Sequence, residues 1–379
     1  MNEELGQVEY IFSDKTGTLT CNVMEFKKFS AGLKSYGTGE APLEPQESNV
    51  CFHDPSMRSD MQAVGTPQNE ALIRTMMFLA CCHTIVIDER KGTYNAASPD
   101  ELALVNAAKQ FGFEFKGLDA KDNMLIRDHN TDTLHKYQLL NVCEFSSTRK
   151  RMSVILRDPQ GRIVLMCKGA DSVIQERLSV HSSSSDVLRR TQEYVDLYAE
   201  EGLRTLFLAE RFIDEATYEQ WNAEAQEARL EIQNRDEHVA AVDEKIEVEL
   251  ELIGSTAIED RLQDEVAETI TFMKSAGIKV WVLTGDKIET AMNIGVSAGL
   301  LDNSMAQHLV EETVASALSK QLDDINLAIK NPSSSSQKQA IIVAGASLVC
   351  IDKVDSLRER FLQASDSVEV VLACRVSPK

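Results

Sequence analysis

The seven residues Asp14-Lys15-Thr16-Gly17-Thr18-Leu19-Thr20 hold the densest chemistry in this 379-residue chain. The β-type run Val8-Glu9-Tyr10-Ile11-Phe12 before them predicts a strand that ends near Asp14. An aspartate at the carboxyl end of a strand stands where open α/β sheets bind their ligands. A carboxylate there can attack a phosphoryl group and form an acyl phosphate. Gly17 lets backbone approach a phosphate, and the threonine hydroxyls with the main-chain amides can cradle its oxygens. A lone Asp-Lys would more often be a capped turn, but the whole string argues against that. A second string, Lys279-Val280-Trp281-Val282-Leu283-Thr284-Gly285-Asp286-Lys287, runs a strand into Thr-Gly-Asp at a helix start. Free amides and a hydroxyl then face a phosphate. Both strings are expected at the same edge of one sheet.

The positioning elements follow from apolar spacing. Asn69 to Cys82 is helical in period, and Ser98-Pro99-Asp100-Glu101 reads as a capped helix start, with Glu101 at capping-box spacing. That helix should reach Gly112. Tyr137 to Phe145, Met152 to Arg157 and Ile163 to Lys168 read as strands, the last two joined by a turn at Asp158-Pro159-Gln160-Gly161. Lys34 to Asn69 and Ser182 to Ser185 read as loops. Helix is expected over Val187 to Glu201 and Ala216 to Arg235, with a strand between them at Thr205 to Phe212. From Leu250 strand and helix alternate: Leu250 to Ile258, Asp264 to Ser275, Ile278 to Leu283 and Ile288 to Ala298. After a polar insertion from Asp302 to Gln339 come Ala340 to Val343, Leu357 to Gln363 and Val368 to Cys374. Alternation of this kind predicts an α/β fold with a doubly wound parallel sheet. The isolated first strand needs neighbours, so the sheet should be discontinuous in sequence, with an α+β domain inserted. The expected division is 1–27 and 250–379 for the split domain, and 28–249 for the insert.

Asp14 to Thr20 resembles the phosphorylation signature of the P-type ATPases, within the haloacid-dehalogenase-like superfamily. Thr284-Gly285-Asp286-Lys287 is similar to the lipid-flippase (type 4) version of a second family motif. Four stretches of the insert are also similar to flippase sequences: Ser98-Pro99-Asp100-Glu101, Glu144-Phe145-Ser146-Ser147-Thr148-Arg149-Lys150-Arg151-Met152-Ser153, Cys167-Lys168-Gly169-Ala170-Asp171 and Glu201-Gly202-Leu203-Arg204-Thr205. The resemblance implies that Asp14 is the phosphorylated nucleophile, and that Asp14 and the Thr16 carbonyl coordinate Mg2+. It places Asp14, Lys15, Thr16, Thr284, Gly285, Asp286 and Arg375 among the residues that bind ATP. In the insert it implies a nucleotide pocket. There Phe145 can stack on adenine and Glu101 can accept a hydrogen bond from adenine or ribose. Lys168 can supply positive charge and Arg204 can pair with phosphate. Cys21, Leu102 and Ala344 depart from common family residues.

The function implied is that of the catalytic cytosolic segment of an ATP-driven phospholipid translocator. Its full-length protein would be integral to a membrane, with phospholipid as cargo and an accessory membrane subunit as a further partner. A cation-pump segment is the alternative within the family. A free-standing phosphatase fits the sheet, but it would place a second aspartate where Thr16 stands, as general acid and base. A non-catalytic ATP-binding module is the third reading. The Gly-Asp-Gly-x-Asn-Asp segment of the family is not found, so the chain is expected to be a fragment, inactive in transport by itself. The formal charge of −21 argues against nucleic-acid binding. Eight cysteines without a C-x-x-C pair suggest a reducing compartment, not a disulfide or zinc framework.

Overall fold

The computed structural model describes residues 7–39, 44–88, 92–231, 234–286, 288–302, 304–330 and 338–375. The first strand, β1 (Tyr10–Asp14), ends on the aspartate itself. Past a tight turn within Lys15–Leu19 comes β2 (Thr20–Ala31), a strand the sequence did not announce, and β3 (Lys34–Tyr36) folds back on it. The segment expected as loop also contains α1 (Pro55–Gln62) and the start of α2 (Pro67–Cys81). Both helices begin on proline behind a capping side chain: Asp54 accepts from the Ser56 amide and Thr66 from the Asn69 amide. A small hairpin of β4 (Val86–Asp88) and β5 (Thr93–Asn95) precedes α3 (Pro99–Gln110). Ser98 caps α3 as expected, but Glu101 turns its carboxylate away to Thr84 and Lys168, so only half of the capping box forms.

Next come β6 (Phe113–Leu118) and β7 (Asn123–Asp128), neither anticipated, then β8 (Thr133–Cys143), β9 (Arg151–Arg157) and β10 (Ile163–Gly169). The turn from β9 to β10 sits where the sequence put it. Asp158 accepts from the Gln160 and Arg162 amides, and Gly161 adopts a φ of 84°. The serine run is partly helical, since α4 (Asp171–Gln175) is followed by α5 (Val180–Ser183) and α6 (Asp186–Glu200). After β11 (Arg204–Ile213), the expected single helix is two, α7 (Glu215–Leu230) and α8 (Arg235–Ile246), with left-handed Asn234 before the second. Then follow β12 (Glu251–Leu262), α9 (Val266–Ser275), β13 (Lys279–Thr284) and α10 (Ile288–Ser297). The polar insertion holds β14 (Ala306–Val310) and α11 (Ala315–Lys330). The chain continues through β15 (Gln339–Ala344), α12 (Gly345–Asp352), α13 (Asp355–Ser365) and β16 (Val370–Cys374).

Two compact units result, one from residues 1–23, 199–202 and 260–379, the other from 24–198 and 203–259. In the first, five strands form a sheet in the order β1-β13-β16-β15-β14, with every pairing parallel. Strand residues alternate between two buried faces. Val280, Val282, Ile342, Val370 and Leu372 pack with Ile270 of α9 and Ala291 of α10. Ile341, Val343 and Val371 pack with Leu318 and Leu322 of α11 and with Leu357 and Phe361 of α13. Helices on both faces of a parallel sheet make the doubly wound arrangement expected from the alternation. β12, which the strand–helix alternation assigned to this sheet, does not join it.

β12 belongs to the second unit's nine-stranded sheet, ordered β3-β2-β12-β11-β10-β9-β8-β7-β6, and pairs antiparallel with β11. Gly254 lets β12 lie against β2, because a Cβ there would come within 2.0 Å of the Ser30 carbonyl oxygen. β9 and β10 are covered on both faces, which explains their apolar runs at residues 154–156 and 163–167. Val154, Leu156, Val164 and Met166 face α2 and α3, whereas Ile155, Leu165 and Cys167 face the side of α6, α7 and α8. Cys81, Cys82, Cys143 and Cys167 are buried in this unit.

Candidate functional site

In the parallel-sheet unit the register gathers the carboxyl ends of neighbouring strands. Asp14 closes β1 opposite Leu283, and Thr284 closes β13 opposite Cys374 of β16. Asp14, Thr284 and Arg375 therefore stand at one sheet edge, with the Asp14 carboxylate exposed and Thr284 buried. Beyond Asp14, Thr16 has φ −77° and ψ 119°, and Gly17 has φ 78° and ψ −1°. These are the dihedrals of a type II turn, whose third position requires positive φ. A Cβ on Gly17 would meet nothing within 4 Å, so the glycine answers the turn's φ and not crowding by the chain. Thr16 and Thr18 are exposed, while the buried Thr20 hydroxyl donates to the Lys15 carbonyl and closes the turn.

Lys15 points its side chain inward. Its ammonium lies 2.7 Å from both the Asp260 and the Asp286 carboxylates. Burial by itself would lower its pKa, but the hydrogen bonds it donates to the two carboxylates outweigh burial and raise it above the usual lysine value. The Thr284-Gly285-Asp286 turn is fastened twice: the Asp286 amide donates to the Thr284 hydroxyl, and the Arg375 amide donates to the Asp286 carbonyl. Gly345 permits this packing, since a Cβ there would fall 2.3 Å from the Arg375 carbonyl oxygen. Asp260 escaped the sequence reading; its only signal was an acidic residue following an apolar strand. Lys287, the residue that separates the flippase version of the motif, lies outside the described residues.

In the second unit another end of a sheet collects side chains. Cys143 of β8 pairs with Ser153, Arg151 with Gly169, and Gly169 with Phe207. Phe145, Lys168 and Arg204 thus arrive from three strands at the same end. Glu101 comes to Lys168 from α3, the two buried groups lying 3.0 Å apart. The Lys168 ammonium also donates to the Cys82 carbonyl, and Glu101 accepts from the amide and hydroxyl of Thr84. Burial pushes the Glu101 carboxyl upward, yet the Lys168 charge and the Thr84 donors prevail and hold it below the usual range. Arg204 pairs with Asp100, next to Glu101, at 3.1 Å. Asp100 joins the cluster without having been singled out in the sequence. Phe145 is 63% exposed, the ring presented to solvent and not packed in the core.

The residues thus form two groups, one in each unit. One offers an exposed carboxylate beside backbone amides, the other an exposed aromatic ring beside paired charges.

Comparison with known proteins identifies the family. A family model described as P-type ATPase, cytoplasmic domain N, matches residues 70–265, just over half of the chain. The whole chain aligns at 39% identity with human phospholipid-transporting ATPase ID and at 38% with Arabidopsis thaliana phospholipid-transporting ATPase 10. It covers 34% and 36% of their lengths. At 40% identity, 99% of the chain matches 28% of phospholipid-transporting ATPase DRS2 of Saccharomyces cerevisiae. The chain spans about a third of the length of these relatives. By the family model and by the strings that surround Asp14 and Thr284, it belongs to the P-type ATPases.

Proposed function

We propose that this chain is the ATP-using catalytic segment of a phospholipid translocator, and that Asp14 accepts the γ-phosphoryl group of ATP. The observation that carries the reading is the exposed Asp14 carboxylate at a strand's carboxyl end, followed by the type II turn and flanked by the end of β13. One carboxylate oxygen of Asp14 bonds to the γ-phosphorus as the bond to the bridging oxygen breaks, and ADP leaves. The parallel-sheet unit then acts as a haloacid-dehalogenase-like phosphorylation domain, and the unit of the nine-stranded sheet, β12 included, as the nucleotide-binding domain. The Asp14 carboxylate and the Thr16 carbonyl are hard oxygen donors that suit Mg2+. Two protein ligands leave the water and phosphate positions that this ion prefers. When bound, Mg2+ supplies charge neutralisation for the approach of phosphate to carboxylate. Thr284, Gly285, Asp286 and Arg375 border the phosphate end, where Lys15 balances Asp260 and Asp286. Phe145 stacks on adenine, with Glu101, Lys168 and Arg204 around it.

Among the described residues no helix is long and apolar enough to cross a membrane. In this reading the whole protein lies in a membrane with this segment on the cytosolic face, moves phospholipid and takes an accessory membrane subunit. The names of the relatives support the choice of cargo. The test is to label full-length protein with radioactive ATP, quench in acid and treat with hydroxylamine. Hydroxylamine-sensitive label should form in the parent and fall to background in Asp14→Asn. Label that persists in Asp14→Asn would refute the assignment.

A further inference from the structure

We infer that Arg149 is a positioning residue for nucleotide, holding the turn that carries Phe145 from beneath through a buried network of charges anchored on Glu247. The inference rests on the reading of Phe145 as the adenine platform. Glu144, Phe145, Thr148 and Lys150 are exposed, whereas Arg149 is 6% exposed and Arg151 is 1% exposed. One guanidinium nitrogen of Arg149 donates to the Glu144 carbonyl at 2.6 Å, the peptide oxygen next to Phe145. The Arg149 amide donates to the Ser146 hydroxyl at 3.1 Å, and the Lys150 amide to the Ser146 carbonyl at 2.8 Å. Phe145 is thereby bracketed on both sides by bonds from Arg149 and the residue after it.

The other end of Arg149 is anchored. Its second terminal nitrogen reaches Glu247 at 2.5 Å, and Glu247 is wholly buried. Glu247 also accepts from Arg151 Nε at 2.6 Å and from the Ser153 hydroxyl at 2.5 Å, and Asp243 of α8 lies 3.6 Å from Arg149. The turn is clamped from the far side as well. The Ala170 amide donates to the Lys150 carbonyl, and a Cβ on Gly169 would sit 2.7 Å from that same oxygen. The Phe145 turn and the segment after Lys168 are thus fixed to each other.

Stability alone does not call for this arrangement. Burying two arginines and two carboxylates is costly, and apolar side chains of similar volume commonly serve as well. Arg149 even leaves its Nε buried without a hydrogen-bond partner. What the charges achieve is a fixed backbone under an exposed ring. A stacking platform that keeps its orientation before the ligand arrives loses less freedom on binding.

The test is calorimetric titration of the chain with ATP in the absence of Mg2+. It compares the parent with Arg149→Lys, Ser146→Ala, Phe145→Ala, and each of the first two combined with Phe145→Ala. A lysine keeps the charge opposite Glu247 but cannot fork to the Glu144 carbonyl as well. Arg149→Lys should weaken ATP about tenfold and Ser146→Ala about threefold, as the loss of one hydrogen bond allows. Neither change should weaken binding further once Phe145 is alanine, because a positioning residue has nothing left to position. Equal losses with and without Phe145 would overturn the inference, as would parent-like affinity of Arg149→Lys beside a weakened Phe145→Ala. Parent-like affinity of Phe145→Ala would instead sink the platform reading, and the inference with it. If Arg149→Lys does not fold, Ser146→Ala, which leaves every buried charge in place, decides the matter.

Discussion

The Asp14 edge and the Lys168 end are built on opposite plans. At the first, the reactive group is exposed and backbone does the positioning: parallel register, a type II turn, and a glycine that admits the Arg375 carbonyl. At the second, the candidate ligands are side chains already engaged with each other, Lys168 with Glu101 and Arg204 with Asp100, and the first pair is buried. The difference teaches where stability and function are separable. An exposed carboxylate on a rigid strand end can change without disturbing a core, whereas a buried ion pair belongs to the core.

The largest expected effect follows from that contrast. Lys168→Met leaves the Glu101 carboxylate buried and uncompensated, which should cost about 3–5 kcal/mol. Asp14→Asn, at an exposed position, should change stability by no more than about 0.5 kcal/mol. Denaturant unfolding can follow each unit separately, since Trp221 lies in the second and Trp281 in the first. Equal losses from the two substitutions would erase the distinction.

pH supplies the next probe. His83 is buried between the Ala80 carbonyl and the Ile85 amide, and burial, then the nearby Lys168 charge, pull its pKa down to about 4. The unfolded chain takes up that proton near pH 6.5 and the folded chain only near 4. The His83 contribution to the stability of the second unit should therefore fall as pH drops through that window, by about 3 kcal/mol, and then level off. Glu101 is depressed, so its contribution is present above its ordinary value and disappears only at lower pH. Lys15 is raised, and what it contributes to the first unit is lost only in strong alkali. Thermal unfolding from pH 7 to 4 should thus weaken the Trp221 transition, and His83→Gln should flatten the slope. An unchanged slope in the variant would assign the proton to another group.

A smaller effect than either of these concerns the turn residue Gly17. A Cβ there has room, so Gly17→Ala should cost only the strain of positive φ, about 1 kcal/mol. A loss several times larger in the Trp281 transition would mean that the turn is crowded in a way its surroundings do not show.

The two plans also differ in how far they could be read from the sequence. Asp14, Thr284 and their strands were legible because the apolar runs and the turn residues are contiguous in the chain. The inserted unit was legible in its β8 to β10 stretch, where alternation and the Asp158–Gly161 turn are local signals. It was obscure where partners are distant. Glu101 has capping-box spacing, but the stronger attraction of Lys168, 67 residues away, decides its rotamer. β12 has the apolar character of a parallel strand, yet the antiparallel β11 and the small Gly254 beside β2 claim it. The polar insertion hid β14 and α11 because an edge strand and a surface helix need apolar residues on one side only. Asp260 and Asp100 were missed for the same reason as Glu101's pairing, since each owes its place to an ion pair across elements.

The buried thiols give the second unit an internal clock. The Cys82 thiol, pushed up to about 12 by burial, keeps its proton at neutral pH, and that of Cys81 is raised as well. A reagent that attacks thiolate can reach these two sulfurs only when the surrounding structure opens. The Cys82 carbonyl is also an acceptor for Lys168. The labelling rate of this cysteine pair therefore counts openings directly beneath the Glu101–Lys168 cluster, and a ligand that ties down that cluster slows the count.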